Sequence, residues 1–444
     1  MAGEWEEISV AELQAAGALL VEDGNHGENR PRPDEFSAEG IHFIRAADMD
    51  SGRVLFERAQ RINEIANQRV RKGIGAGGDV LLSHKGTVGK VAYVPLNAPP
   101  FVCSPQTTFW RVKDPQQLHR RYIYFYLLSR AFREQLDSRK GETDMADYVS
   151  LTTQRTLKVT VPPLAEQEAI ASVLGALDDK IELNRRMNGT LEAMARALFQ
   201  SWFVDFDPVR AKLDGRKPLG LDDETAALFT DSFQDSPLGH IPTGWAAIPL
   251  YDTAQWVNGA AFKNEDFCDA GEGLPVIKIG ELKAGISDQT KWSQRGAAPD
   301  KIIETGDLVY SWSGSPDTSL EAFLWSGVRG LLNQHIFKVI SATEAEKRFV
   351  YYLLQYLRPV LVQTARNKQT TGLGHVTIAD MKRLFVCMPS KAVLAAFDRN
   401  VAPIFDKAFT NTLESRTLAT LRDTLLPKLL SGALSVNAAL ESAS

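Results

Sequence analysis

The stretch PPLAEQEAIASVLGALDDKIELNRRMNGTLEAMARALFQSWFVDFDPV, residues 162–209, decides how the chain folds. Its double proline, followed by Glu166, Gln167 and Glu168, places fixed φ and acidic groups at the positive end of a helix dipole, which is a start signal. Apolar residues then recur at heptad spacing, at Ile170, Leu174, Leu177, Ile181, Leu191, Ala195, Leu198 and Trp202, which predicts one long amphipathic helix with a helical partner. Asn184 and Asn188 interrupt the seam; polar groups inside such a seam lower stability but fix register.

The partner is predicted within the same chain. A shift of 227 residues brings Ile170 onto Phe397, Leu174 onto Val401, Leu177 onto Ile404, Leu191 onto Leu418 and Leu198 onto Leu425. Asp179-Lys180 falls on Asp406-Lys407 and Asn184 on Asn411, and these matches lie outside any apolar pattern. Pro403, opposite Ala176, is expected to kink the second helix or mark a break. The echo extends outward: Gly306-Asp307-Leu308 answers Gly78-Asp79-Val80, Asn333-Gln334-His335 answers Pro105-Gln106-Thr107, Arg348 to Leu354 answers Arg121 to Leu127, and Gly244-Trp245 answers Gly3-x-Trp5. The chain therefore reads as an α+β protein of two similar globules, each followed by a long helix.

Short β-rich runs at 41–44, 80–83, 88–94, 107–112 and 157–161 build the first globule, with a helical stretch at 121–133 whose aromatic face reads as core and a polar loop at 138–148. The boundaries expected are a first globule at 1–161, a helix at 162–209, a linker at 210–240, a second globule at 241–388, a helix at 389–432 and a tail at 433–444.

Composition limits the function. The 444 residues hold three cysteines, Cys103, Cys268 and Cys387, too far apart for a zinc site or a disulfide framework, which fits a reducing cytoplasm. No signal peptide and no membrane-length apolar run is expected, so the chain reads as soluble. The net charge of −5 weighs against nucleic-acid binding, yet residues 41–160 carry 19 Lys/Arg against 11 Asp/Glu, an excess of 8. Chemistry-bearing motifs fail their context tests. Gly73 to Gly78 matches Gly-x-Gly-x-x-Gly but leads into a strand rather than a helix, Ala98 intervenes where an amino-methyltransferase motif needs Asn or Asp directly before Pro-Pro, and Glu281-Leu282-Lys283 is a lone Glu-x-Lys.

The helix with Leu177 to Asn184 running into Ser201-Trp202-Phe203-Val204-Asp205-Phe206-Asp207-Pro208 resembles the central conserved region of type I restriction-modification specificity subunits. So do Leu426-Pro427-Lys428-Leu429-Leu430-Ser431-Gly432, Val257 to Lys263 and Gly374-His375-Val376-Thr377. The resemblance implies two target-recognition domains, each reading half of a split, asymmetric double-stranded DNA site, separated by two antiparallel helices in a pseudo-twofold repeat. It further implies two docked methyltransferase subunits and restriction subunits, no catalysis by this chain, and S-adenosylmethionine, ATP and Mg held only by those partners. A helix of about 40 residues spans roughly 60 Å, more than one DNA turn of ~34 to 36 Å, so it is expected to act as a spacer.

Candidate DNA contacts are His26, Arg30, Arg32, Lys85, Thr87, Gln106 and Lys140 in the first half. In the second they are Lys263, Trp312, Ser313, Asn333, Gln334, Lys368, Gln369 and His375. Lys and Arg hold phosphate or pair with guanine, and Asn and Gln pair with adenine. A stand-alone DNA methyltransferase or nuclease and a coiled-coil adaptor that binds no DNA are the alternative readings.

Overall fold

The computed structural model describes residues 5–140, 147–369, 372–434 and 436. It divides into two compact units, Met1–Ile181 with Arg416–Ser444, and Glu182–Ser415. Among the described residues no helix is long and apolar enough to cross a membrane.

In the first unit an antiparallel sheet sets Leu19–Asp23 beside Thr107–Val112, then Val80–Ser83 and Val91–Tyr93. A second sheet pairs Phe101–Cys103 in parallel with Ile41–Ile44, and Glu6–Ser9 pairs with Lys158–Val161. The aromatic stretch forms two helices, Arg120–Leu128 and Arg130–Asp137, rather than one. Ser129 divides them because its hydroxyl caps the second by accepting from Phe132 N at 3.2 Å. Tyr122, Phe125, Tyr126 and Phe132 are all buried, so this face is core.

The same core takes Ile170 and Leu174 from the helix Leu164–Phe203, and Leu426, Leu429 and Leu430 from the helix Lys391–Leu430. Each fully buried leucine contributes about 1.5–3 kcal/mol. Arg422 adds an ion pair to Asp178 at 2.7 Å, and Leu425 packs at the margin.

The second unit repeats this frame. Gln255–Asn258, Ile336–Ile340, Leu308–Ser311 and Glu321–Leu324 form the antiparallel sheet. Leu274–Ile277 runs parallel to Gly330–Leu332, and Ala246–Pro249 pairs with Phe385–Met388. Its core joins Phe199, Trp202 and Phe203 of the first long helix to Phe397, Val401 and Phe405 of the second, with Leu198 and Ile404 alongside. Beyond them Asn184 Nδ2 donates to Glu414 Oε2 at 2.8 Å, Asn411 Nδ2 to Asn188 Oδ1 at 2.9 Å, and Asn188 Nδ2 to Thr412 Oγ1 at 3.1 Å. Residue numbers run in opposite senses across these bonds, so the helices pair antiparallel, and Asn184 and Asn411 are both fully buried. Leu177, Ile181, Leu191 and Leu418 are half-buried.

Ion pairs follow the repeat as closely as strands do. Asp79 binds Arg111 and Asp307 binds Lys338, each at 2.7 Å, and Lys338 stands 227 residues after Arg111. Arg121 grips Asp179 at 2.6 Å, and Arg348 grips Asp406 at 2.9 Å, both partners displaced by 227. Gly78 and Gly306 both hold positive φ, 88° and 94°, and each N–H bonds across the turn, to Val94 O and Trp325 O.

Several boundaries differ from the sequence reading. The first long helix stops at Phe203, not Val209, because Phe206 turns left-handed at φ 56° and Pro208 opens a new helix, Asp207–Leu213. The expected linker at 210–240 is ordered: it holds Asp223–Ala227 and the hairpin Phe233–Ser236/Gly239–Pro242, and Phe229 and Ile241 are buried in the second core. The second long helix runs through Pro403 without a break. That proline lies on the exposed side, where the carbonyl it leaves unbonded faces water, while Val401 and Phe405 keep the packed side. The run at 88–94 narrows to Val91–Tyr93, since Gly89 turns at φ 94° and its N–H bonds to Ser83 O. Gly3 lies outside the described residues, as do 141–146 of the polar loop and most of the tail, from which Leu434 and Val436 pack on the first core.

Candidate nucleic-acid interface

In the first unit the end of Leu19–Asp23 leads into a loop held tightly on its neighbours. A Cβ on Gly24 would lie 2.0 Å from the Cys103 carbonyl oxygen, so only glycine allows this crossing. The buried Asn25 accepts from Arg71 N at 2.8 Å. Asp23 binds His26 at 2.7 Å and Lys72 at 2.5 Å. Burial would raise the Asp23 carboxyl, but the bonds from Lys72 and His26 outweigh it and hold the group below its usual range.

With this loop anchored, His26 and Arg30 line a cleft of about 170 Å³ together with Phe43, Arg45, Lys85, Ser104, Pro105 and Gln106. Four residues chosen from sequence, His26, Arg30, Lys85 and Gln106, therefore converge from three loops. Arg45 and Ser104 complete the wall and were not anticipated. Arg45 follows the strand Ile41–Ile44, and a polar residue just beyond a strand end was the available signal. Arg45 is bound to Asp48 at 3.0 Å. Lys85 bridges Tyr148 through the backbone, and its ammonium sits 5.5 Å from that ring.

The corresponding edge of the second unit gathers Trp312, Ser313, Asn333, Gln334 and His375. Trp312 Nε1 donates to Asn258 Oδ1 at 3.1 Å, and its ring lies 5.8 Å from His335 and 5.7 Å from Phe337. Ser313 pairs with His375 in a short antiparallel bridge. Gly259 makes the crossing that Gly24 makes in the first unit: its Cβ would lie 2.2 Å from Asn333 O. Asn258 and His335 are the members that the sequence reading did not select.

The two edges superpose in their bonding. His84 N donates to Gln106 O at 2.9 Å, and Trp312 N to His335 O at 3.3 Å. Val149 N donates to His84 O and Val376 N to Trp312 O, both at 2.9 Å. Ser104 Oγ accepts from Gln106 N at 3.3 Å, and Asn333 Oδ1 from His335 N at 3.4 Å. Ser104-Pro105-Gln106 thus answers Asn333-Gln334-His335, one residue from the sequence alignment, because the turn is capped by its first side chain in both copies.

Other candidates stand apart from these sets. Arg32 and Thr87 are exposed, Lys140 is paired with Asp137 at 2.5 Å, and Lys263 with Glu265 at 3.7 Å. Lys368 binds Asp380 at 2.6 Å, while Gln369 donates to Gly372 O at 2.7 Å. Glu281 of the Glu-x-Lys triplet accepts from Lys278 N at 3.0 Å and caps its own helix, a structural task. Among the described residues there is no group of three or more His, Cys, Asp or Glu placed to hold a metal.

A model of the type I restriction modification DNA specificity domain matches the chain twice, over residues 26–193 and 242–422. The chain belongs to this family. The two matches begin within or close to the two repeats and run into the long helices, so the family's unit is the globule together with its helix. Among curated members, the type I restriction enzyme HindI specificity subunit of Haemophilus influenzae is 26% identical over 92% of this chain and 98% of its own length. The MjaIX specificity subunit of Methanocaldococcus jannaschii is 24% identical over 90% and 88%. The crystal structure of a type I restriction-modification S subunit from M. genitalium aligns with a TM-score of 0.55 at 15% identity over 96% of each chain, a likeness of fold.

Proposed function

We propose that this chain is the DNA specificity subunit of a type I restriction-modification complex. Its two units each read one half of a split, asymmetric double-stranded site. The observation that supports this most directly is the pair of superposable edges: one backbone frame, fixed by Gly24 and Gly259 and by matched hydrogen bonds, carries different side chains in the two copies. Frames that persist under loops that differ suit two readers of two sequences.

The chain supplies recognition and scaffolding, and the chemistry belongs to partners. Methyltransferase subunits dock on the long helices and carry S-adenosylmethionine; restriction subunits carry ATP and Mg. The assembly works in the cytoplasm, where its DNA is.

The test is to mix the chain with its methyltransferase subunit and duplex DNA across a salt series, then map methylated adenines in the host genome. The expected result is affinity that falls linearly in log K against log salt, with slope about −0.9 per phosphate contact, and a methylated motif of two short halves around an unread gap. An uninterrupted motif, or methylation of DNA by the lone chain given S-adenosylmethionine, refutes the proposal.

A further inference from the structure

We infer that Lys85 and Gln106 determine the first half-site, that Ser313 and His335 determine the second at the same two frame positions, and that Lys85 selects a guanine. This rests on the reading above that the chain binds DNA.

Lys85 and Ser313 occupy one position: each forms the antiparallel bridge to the segment that closes the edge, through Tyr148 and His375. Gln106 and His335 occupy the other: each carbonyl accepts from the residue preceding Lys85 or Ser313, and each N–H is capped two residues back. The backbones agree, so the chemistry presented differs only in side chains. The first unit offers an ammonium and an amide; the second offers a hydroxyl and an imidazole that lies 5.8 Å from the Trp312 ring.

An ammonium has three donors and no acceptor, so in the major groove it fits the paired acceptors O6 and N7 of guanine. Lys85 and Arg30 line the same cleft, and neither is in an ion pair among the described residues. A phosphate contact asks only for charge, whereas Lys85 shares the lining of a concave cleft with Gln106, whose amide is a neutral donor and acceptor that reads base edges. Neither Ser313 nor His335 supplies an ammonium, so at these two positions the second unit presents a different set of donors and acceptors.

The experiment exchanges the two positions in the complete methyltransferase complex and sequences methylated adenines. Lys85→Ser with Gln106→His is expected to relax one guanine of the first half by about 5- to 150-fold relative to other bases, leaving the second half unchanged. Lys85→Arg is expected to retain guanine, since Arg pairs with it bidentately. His335→Gln is expected to alter the second half alone, which keeps the inference testable if the first exchange fails to fold. An unchanged motif with a salt slope reduced by about one contact makes Lys85 a phosphate contact and overturns the inference. Altered preference in both halves also overturns it. A native complex that methylates no bipartite motif refutes instead the function proposed above.

Discussion

Arg348→Ala tests what fastens the second globule to its long helix. The guanidinium is 10% exposed and binds Asp398 at 3.0 Å and Asp406 at 2.9 Å. Asp406 is 61% exposed, so its bond is worth at most about 1 kcal/mol. Asp398 is 24% exposed, and a charge-assisted bond there contributes about 1.5–3 kcal/mol, less what water restores to the freed carboxylate. The guanidinium carbon, 5.5 Å from the centre of the Phe405 ring, adds a cation–π contact, and the buried stem adds packing. The expected loss is about 2–3 kcal/mol.

The first copy provides the internal control. Arg121 is 25% exposed; among the described residues its ion-pair partner is Asp179, itself 67% exposed, its guanidinium lies 5.6 Å from the Tyr93 ring much as that of Arg348 lies near Phe405, and Ala171 stands where Asp398 stands in the second copy. Arg121→Ala is therefore expected to cost about 1 kcal/mol. Six of the eight tryptophans lie between Trp202 and Trp325, so urea denaturation followed by fluorescence reports mainly on the second unit, and hydrogen exchange resolves the first. In an Asp398→Ala background, Arg348→Ala should fall to the Arg121→Ala value. Equal losses for the two arginines, or a loss in that background as large as in the native chain, would refute the reasoning.

Asn411→Leu alone removes the donor to Asn188 Oδ1 and is expected to cost about 1–3 kcal/mol by urea denaturation. Leucine at 184, 188 and 411 together should restore stability while loosening helix register, seen as broadened spin-label distances across the pair; an unchanged register contradicts the polar layer's role. Gly24→Ala and Gly259→Ala place a Cβ within 2.0 and 2.2 Å of carbonyl oxygens and should each destabilise their own edge by more than 2 kcal/mol, a figure of about the size of core overpacking. Protection from hydrogen exchange in both edges that matches the native chain would count against it. Burial lowers the His84 pKa in the folded state, with the bond to the Val149 carbonyl opposing. The unfolded chain therefore takes the proton first, and stability falls as pH drops below about 6.5, by at most about 1.4 kcal/mol per pH unit, down to the folded pKa. His84→Gln should flatten that acid limb, and a limb that stays as steep assigns it elsewhere.

Much of the frame was legible because its signals are local or periodic. Heptad spacing gave the helices, and Asp179, Asn184 and Arg121 recur with their partners 227 residues on, where apolar periodicity alone gives no reason for them. The region at 210–240 misled because most of it is polar surface. A few scattered anchors, Phe229 with Leu221, Leu228 and Phe233 beside it, do its packing, and they follow no period. At the interface, residue type identified His26, Arg30, Lys85 and Gln106, but their convergence depends on backbone bonds between loops far apart in sequence. Lys140 and Lys368 look the same in sequence as Lys85; only the positions of Asp137 and Asp380 separate them.

The first unit closes its core with Leu426, Leu429, Leu430 and Val436. A ribosome delivers those side chains only after residues 182–415, a complete unit, have already emerged. The globule begun first is finished last, and until then Ile170 and Leu174 wait without the leucines that cover them. Emergence of this later segment, rather than synthesis of the first globule itself, is the event that completes the first unit.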